Sequence, residues 1–128
     1  MITKEDFLKP FFAFNGNTSN LITHEIEVNI SQYLIKINKF FYIYKDKLLI
    51  NSGLRSVSQN KACGGAKHSK HLLGLACDFS DINHKLVTFC QNNLDILEDI
   101  GFWMEDPRQT PTWCHLQIVA PVSKRRIF

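Results

Sequence analysis

The stretch that decides the fold reads Ser69-Lys70-His71-Leu72-Leu73-Gly74-Leu75-Ala76-Cys77-Asp78, and a second short stretch, Trp113-Cys114-His115, lies near the C-terminus. Together they supply two imidazoles and one carboxylate. A catalytic zinc site has three protein ligands of these kinds and keeps a fourth position open. We therefore expect His71, Asp78 and His115 to bind one zinc ion.

Both stretches are predicted to contain strands, over residues 75–80 and 113–119. Successive side chains of a strand point to opposite faces, so Asp78 and His115 can face each other across two neighbouring strands. A turn at Gly74 can bring the imidazole of His71 over the same face. This geometry fits one cation, although an Asp beside a His is often only a hydrogen-bonded structural pair.

Helical patterns precede and separate the two strands. Residues 23–42 and 83–99 have apolar side chains at the spacing of amphipathic helices, and Gly101 is a plausible end of the second. A shorter helix is predicted to begin near Thr3, where residues 3–6 resemble a capping box, and to end at Pro10 and the polar stretch of residues 15–20.

The remaining residues complete the fold class. Residues 48–52 read as one more strand, and residues 53–69 read as a polar loop. Helices followed by a short antiparallel sheet indicate an α+β domain, in which the helices pack on the sheet that carries the metal site.

Length and composition agree with one small domain over residues 1–128. The chain is 45% hydrophobic and includes 10 Phe, 3 Tyr and 2 Trp, enough for a single core. The formal charge of +3 is spread over scattered lysines, with one dense block at residues 124–126. We expect no nucleic-acid partner and a monomer, with that block a solvated, weakly anion-attracting tail.

Neither a leader nor a spanning segment is predicted. No charged-then-apolar stretch with a small-residue cleavage site opens the chain, and no apolar run reaches the ~18 residues that cross a bilayer. We expect synthesis in the cytoplasm without a signal peptide and no stable membrane insertion. The four cysteines have no CxxC spacing, so buried free thiols are favoured over disulfides or thiolate ligands.

The motifs together resemble the D-alanyl-D-alanine metallopeptidase family, the LAS-type zinc peptidases. This family includes peptidoglycan carboxypeptidases, vancomycin-resistance dipeptidases and phage endolysin peptidases, and the hedgehog signalling domain is a structural relative. The resemblance runs over residues 29–128. It rests on the SxHxxGxAxD pattern of residues 69–78, on WxH at residues 113–115 and on the SGxRS segment of residues 52–56. The ending, residues 113–117 followed by residues 121–128, is similar to that of small family members encoded in phage and prophage genomes.

The resemblance implies roles for six residues. His71, Asp78 and His115 would hold a zinc ion that activates water for attack on a peptide carbonyl. Arg55 matches the family arginine that stabilises the oxyanion or anchors the substrate, since its guanidinium is a permanently charged forked donor. The same side chain could instead form only a salt bridge. Ser69 matches a substrate-contacting or turn-forming position, and Trp113 matches a substrate-pocket wall that supports the zinc-binding strand. Either residue could instead be purely structural.

The chain departs from the family pattern at one position. Many relatives have Glu or Asp three residues before the last zinc histidine, where the carboxylate moves a proton between water and the leaving amine. Here that residue is Thr112, whose hydroxyl is not basic near neutral pH. Glu105 is the favoured replacement and Asp106 the second candidate. The third alternative is that neither residue carries the proton.

Two functional classes follow from the resemblance. The first is a zinc peptidase that cleaves peptidoglycan stem peptides as a carboxypeptidase or an endopeptidase, of phage or prophage type. Such a protein would reach the cell wall through a holin-like pore or in a phage particle. The second is a catalytically degenerate zinc-binding structural or wall-binding module, for which Thr112 is the main argument.

His68 could approach the substrate, but His24, His68 and His84 are all expected to be surface residues.

Overall fold

A computed structural model describes residues 1–128 and has five α-helices and four strands. The helices are α1 (Lys4–Asn15), α2 (His24–Tyr44), α3 (Val57–Ala62), α4 (Lys85–Asn92) and α5 (Leu94–Ile100). The strands are β1 (Ile50–Ser52), β2 (Ala76–Ser80), β3 (Trp103–Met104) and β4 (Trp113–Gln117). The predicted α+β class is confirmed, with the helices packed on one sheet in a single domain.

The sheet is antiparallel throughout, in the order β1-β2-β4-β3. Its centre is the pair β2 and β4, whose register places Asp78 opposite His115. The alternation predicted for these strands is confirmed, because Cys77 and Cys114 lie on the other face, in the hydrophobic core. One face of the two central strands therefore builds the core and the other carries the polar site.

The core joins the helices to that sheet through aromatic side chains. Phe7 of α1 and Phe102 both pack against Tyr33 of α2, with ring centroids 5.4 and 5.6 Å from the tyrosine ring. The buried Tyr33 hydroxyl donates a hydrogen bond to the backbone oxygen of Leu116, at 2.9 Å. This bond ties α2 directly to β4, so the strand that carries His115 is fixed from behind.

Three local predictions were wrong. The helix predicted over residues 83–99 is two helices, because the Asn93 side chain donates to the Phe89 oxygen, and that bond competes with the backbone ladder. The predicted loop at residues 53–69 contains α3, capped by Ser56. Pro10 lies inside α1 and does not end it.

Pro10 removes one backbone donor from α1, a loss that usually breaks a helix. The helix continues here because its apolar face, which includes Phe7, Leu8 and Phe11, is buried in the core. Tertiary packing thus outweighs the local cost. The capping box predicted at Thr3 is confirmed, as is Gly101 as the end of the second helical segment, where it adopts a left-handed conformation.

The thiols divide into two groups. Cys77, Cys90 and Cys114 are free and buried, whereas Cys63 is free and exposed, contrary to the expectation that it is buried. None of the helices has both the length and the apolar character that crossing a bilayer requires.

Candidate metal centre

Three side chains from two parts of the chain meet above the centre of the sheet. Asp78 and His115 are opposite each other on β2 and β4, and His71 lies on a 3₁₀ turn, Lys70–Leu73, that leads into β2. Asp78 Oδ1 is 3.2 Å from His71 Nε2 and 2.8 Å from His115 Nδ1. One ligand atom from each residue lies within 4.8 Å of the other two, and all three residues are buried.

Local backbone geometry places His71. The Ser69 hydroxyl accepts a hydrogen bond from the His71 N–H at the start of the turn, and Gly74 ends the turn with φ near 72°. Glycine adopts this left-handed conformation without strain, which explains why the motif has a glycine at position 74. The neighbouring loop holds the imidazole, since His71 Nδ1–H donates to the Gly53 oxygen at 2.7 Å.

The same contact leaves the other nitrogen of His71 without a hydrogen-bond partner. In the neutral ring the hydrogen is on Nδ1, so the buried Nε2 presents a lone pair to Asp78 Oδ1, which is also an acceptor. A buried polar atom without a partner is costly unless something completes it.

A divalent cation would fit between these atoms. Ligand atoms that bind one zinc at about 2.0–2.2 Å lie roughly 3–3.5 Å apart, close to the two distances from Asp78 Oδ1. Two imidazoles and a carboxylate are also zinc's usual donors. The residues present therefore fit the metal that the sequence predicts, with the orphaned His71 Nε2 as the structural reason.

The charges in this group are strongly coupled. Burial alone would raise the pKa of the Asp78 carboxyl, but hydrogen bonds and positive charge from the protonated imidazoles of His115 and His71 hold it well below its usual range. Burial alone would lower the pKa of His115, yet the hydrogen bond that the protonated ring donates to Asp78 and the charge interaction between them outweigh burial and raise it. Asp78 is thus an anion at neutral pH, as a metal ligand must be.

Arg55 contacts one of the three residues, Asp78, directly. Its Nη2 donates to Asp78 Oδ2 at 2.9 Å, while Nε donates to the Ser52 hydroxyl at 2.8 Å and Nη1 to Asn60 Oδ1 at 3.3 Å. Arg55 therefore forms the salt bridge that was the alternative to a catalytic role. The pair does not lie on the surface, because the Arg55 side chain is only 14% exposed. The guanidinium fixes the second oxygen of Asp78 and also lines the cavity.

A cavity of about 540 Å³ opens over the three residues. Ser69 and Trp113 line it, as a substrate-contacting role would require, and so does Glu105. Gln117 and Phe128 complete the wall beside His115, with the Phe128 ring centroid 6.1 Å from the imidazole centroid.

The two acids considered as proton carriers have different surroundings. Glu105 follows β3, and its backbone N–H donates to the His115 oxygen at 3.2 Å, beside the cavity. Asp106 does not line the cavity, and Arg108 donates hydrogen bonds to its carboxylate that lower its pKa to about 2. Thr112 is exposed, does not line the cavity, and its backbone oxygen accepts from Asp81.

The remaining histidines are exposed. His68 lies on the cavity wall, whereas His24 begins α2 and His84 contacts the Pro111 oxygen through Nε2, at 2.7 Å. The expectation of surface positions is therefore confirmed for all three.

Some contacts of the site were not anticipated from the sequence. Gln117 accepts a hydrogen bond from His115; strand alternation puts these two side chains on the same face but does not predict the contact. The contacts of the Gly53 carbonyl with His71 and of the Asn60 amide with Arg55 could not be predicted from the sequence, because they depend on how the loop folds.

One family model, described as Peptidase M15, matches residues 13–106. The match includes Arg55, His71, Asp78 and Glu105 but ends before β4, so only the fold brings His115 to the other two ligands. Among curated proteins and among solved structures there is no significant match.

Proposed function

Because the chain belongs to the peptidase M15 family, whose members are zinc-dependent metallopeptidases, we propose that it is a zinc peptidase that cleaves peptidoglycan stem peptides. The observation that carries this proposal is the convergence of His71 Nε2, Asp78 Oδ1 and His115 Nδ1 in one cavity. An ordinary hydrogen-bonded Asp–His pair would not leave a second buried imidazole nitrogen without a partner.

The metal site is assigned to His71, Asp78 and His115. Zinc bound there supplies Lewis-acid polarisation of the scissile carbonyl and acidifies a water molecule. Arg55 holds Asp78 through Oδ2, so that Oδ1 stays directed at the two imidazoles. Two of its five N–H groups have no acceptor in these contacts, so the guanidinium can also stabilise an oxyanion at the cavity wall.

Glu105 is proposed as the group that takes the proton from the attacking water and gives it to the leaving amine. Apart from Asp78, Glu105 is the acidic side chain that lines the cavity. Asp106 is less suited to this role, since a carboxylate whose pKa is about 2 is a weak base near neutral pH.

The substrate is assigned to the open part of the cavity. Trp113 offers an aromatic wall and Ser69 a hydroxyl, next to the basic side chains of Arg55 and Lys70. An extended peptide with a free carboxylate suits this lining, so removal of a terminal D-alanine and cleavage of an internal bond are both within the proposal. A phage or prophage origin, with a holin-like route or a phage particle for access to the wall, belongs to the same proposal.

The test is release of D-alanine or peptide from purified peptidoglycan of several chemotypes. We expect metal-dependent release that stops on chelation and falls by about 10²–10⁴-fold in Glu105→Gln, the range of one general acid–base group. Glu98→Gln is the matched control, because Glu98 is an exposed glutamate of α5, outside the cavity. It should leave the rate unchanged.

A catalytically degenerate binding module is the second candidate function. It is favoured by Thr112, which places no carboxylate at the position that relatives use. If wild-type protein binds zinc and wall fragments but releases nothing from any chemotype, and Glu105→Gln binds both equally well, the module replaces the enzyme.

A further inference from the structure

The imidazole of His115 is held from both sides. Its Nδ1 is 2.8 Å from Asp78 Oδ1, and its Nε2 is 2.9 Å from Gln117 Oε1. Gln117 is only 4% exposed and His115 only 8% exposed, so water does not compete freely for these contacts. A neutral imidazole carries its hydrogen on only one of these two nitrogens.

The backbone decides the orientation of the Gln117 amide. Gln117 Nε2 donates to the Val119 oxygen at 2.8 Å, and a carbonyl oxygen can only accept. The amide oxygen is therefore the atom that faces His115. Since that oxygen also can only accept, His115 Nε2 must be the donor and carry the hydrogen.

The consequence is a lone pair on Nδ1. In neutral His115 the lone pair points at Asp78 Oδ1, where the lone pair of His71 Nε2 also points. The two histidines use opposite nitrogens for this. His71 Nδ1 donates to the Gly53 carbonyl, which leaves the lone pair on Nε2, whereas His115 Nε2 donates to Gln117, which leaves the lone pair on Nδ1. Three acceptor atoms then face one another, an arrangement that a cation stabilises.

We propose that Gln117 is the positioning residue of the metal centre: its amide fixes the tautomer and ring orientation of His115, so that Nδ1 is the metal ligand. This rests on the metal role proposed for His115. Without the amide oxygen, the ring can turn over or move its proton to Nδ1, where it would hydrogen bond to Asp78 and exclude the metal. Groups that orient a metal-bound histidine commonly affect metal affinity by about 10- to 100-fold.

The experiment compares Gln117→Leu, Gln117→Glu and the exposed control Gln91→Leu, each checked for folding by thermal melting. Zinc affinity is measured by competition with a chromophoric chelator. We expect Gln117→Leu to bind zinc about 10- to 100-fold more weakly. Gln117→Glu, which keeps an acceptor oxygen, should recover most of this loss, and Gln91→Leu should bind as the wild type does.

Long-range ¹⁵N–¹H NMR of the histidine rings gives the readout that a merely structural role would not change. In metal-free wild type at alkaline pH, the neutral ring of His115 should carry its hydrogen on Nε2. In Gln117→Leu the spectrum should move toward the Nδ1–H form. If Gln117→Leu does not fold, the wild-type spectrum decides, and a hydrogen on Nδ1 of His115 overturns the proposal.

Unchanged zinc affinity together with an unchanged tautomer in folded Gln117→Leu also overturns it. Failure of the proposed function gives a different result. In that case wild-type protein binds no zinc or releases nothing from peptidoglycan, while the metal-free NMR comparison still reports whether Gln117 sets the tautomer.

Discussion

At the scale of single residues, the candidate site consists of three proposed metal ligands and of the groups that orient them. His71, Asp78 and His115 each have one ring or carboxylate atom directed at a common point and another atom fixed by a neighbour. The neighbours are the Gly53 carbonyl, Arg55 and Gln117. The ligands follow from motif spacing and strand alternation in the sequence. Their partners do not, because a carbonyl or amide contact depends on loop conformation.

Replacement of His71 tests the ligand assignment. His71→Ala should lose stoichiometric zinc in metal analysis, with a fall in affinity greater than the about 10- to 100-fold that an orienting group contributes. His68→Ala is the matched control, three residues earlier on the same segment and exposed on the cavity wall. Equal zinc content in the two variants would contradict the ligand assignment.

Arg55 allows a second prediction at this scale. Arg55→Gln removes the charged donor from a carboxylate whose side chain is only 10% exposed, so it should destabilise the fold by about 1–3 kcal/mol. The cost stays in this range because Asp78 keeps its contact with His115. Urea denaturation measures it, with Arg108→Gln as the exposed control. A free energy of unfolding equal to wild type in both would show that the pair does not stabilise the fold.

The pH dependence separates Glu105 from Asp106. Hydrogen bonds from Arg108 lower the pKa of Asp106 to about 2, so any stability from this pair is present above the ordinary Asp value and is lost as the pH falls through about 2. Asp106 is therefore ionised throughout the working range. Asp106→Asn should keep the wild-type pH–rate profile above about pH 4. A fall in rate of about 10²–10⁴-fold across this range would move the general base from Glu105 to Asp106.

At the scale of elements, the sheet centre and the long helix were predictable, and the short helices were not. The alternation over residues 76–80 and 113–117 survives in the structure because one face must enter the core. The break between α4 and α5 is invisible to apolar spacing, since Leu86, Cys90 and Leu97 are buried across it. What breaks the helix is one side-chain hydrogen bond of Asn93.

The attachment of α2 to β4 gives an element-scale prediction. Tyr33→Phe deletes the buried hydroxyl that donates to the Leu116 oxygen and should lower the free energy of unfolding by about 1–2 kcal/mol. Tyr42→Phe is the control on the same helix, because Tyr42 is 75% exposed. The measurement is chemical denaturation of both variants. An equal effect at the two positions would mean that the contact does not stabilise the fold.

At the scale of the whole molecule, the core and the metal centre occupy opposite faces of the same central strands. The core cluster has 20 buried residues and includes none of the three ligands. The fold class was predictable from the order of helices and strands. The closure of the site was not, because His71 and His115 are separated by 43 intervening residues that contain two helices.

Metal removal should therefore lower stability without unfolding the chain. With free zinc at about 100 times its dissociation constant, binding adds about 2.7 kcal/mol to the folded state. Differential scanning calorimetry should show a higher Tm with zinc than after chelation, with the same far-ultraviolet circular dichroism. His71→Ala should have the lower Tm, that of the chelated wild type, both with zinc and after chelation. A chain that loses its helical signal on chelation would contradict a core that folds independently of the metal.

The exposed thiol has a practical consequence. Cys63 lies on the wall of the cavity, while Cys77, Cys90 and Cys114 are sealed in the interior. A maleimide fluorophore should therefore attach to the native chain at a single position, with no cysteine removed by mutation. The dye would sit at the entrance to the metal centre, and its emission could follow the arrival of a wall fragment in real time, whether or not a bond is subsequently cut.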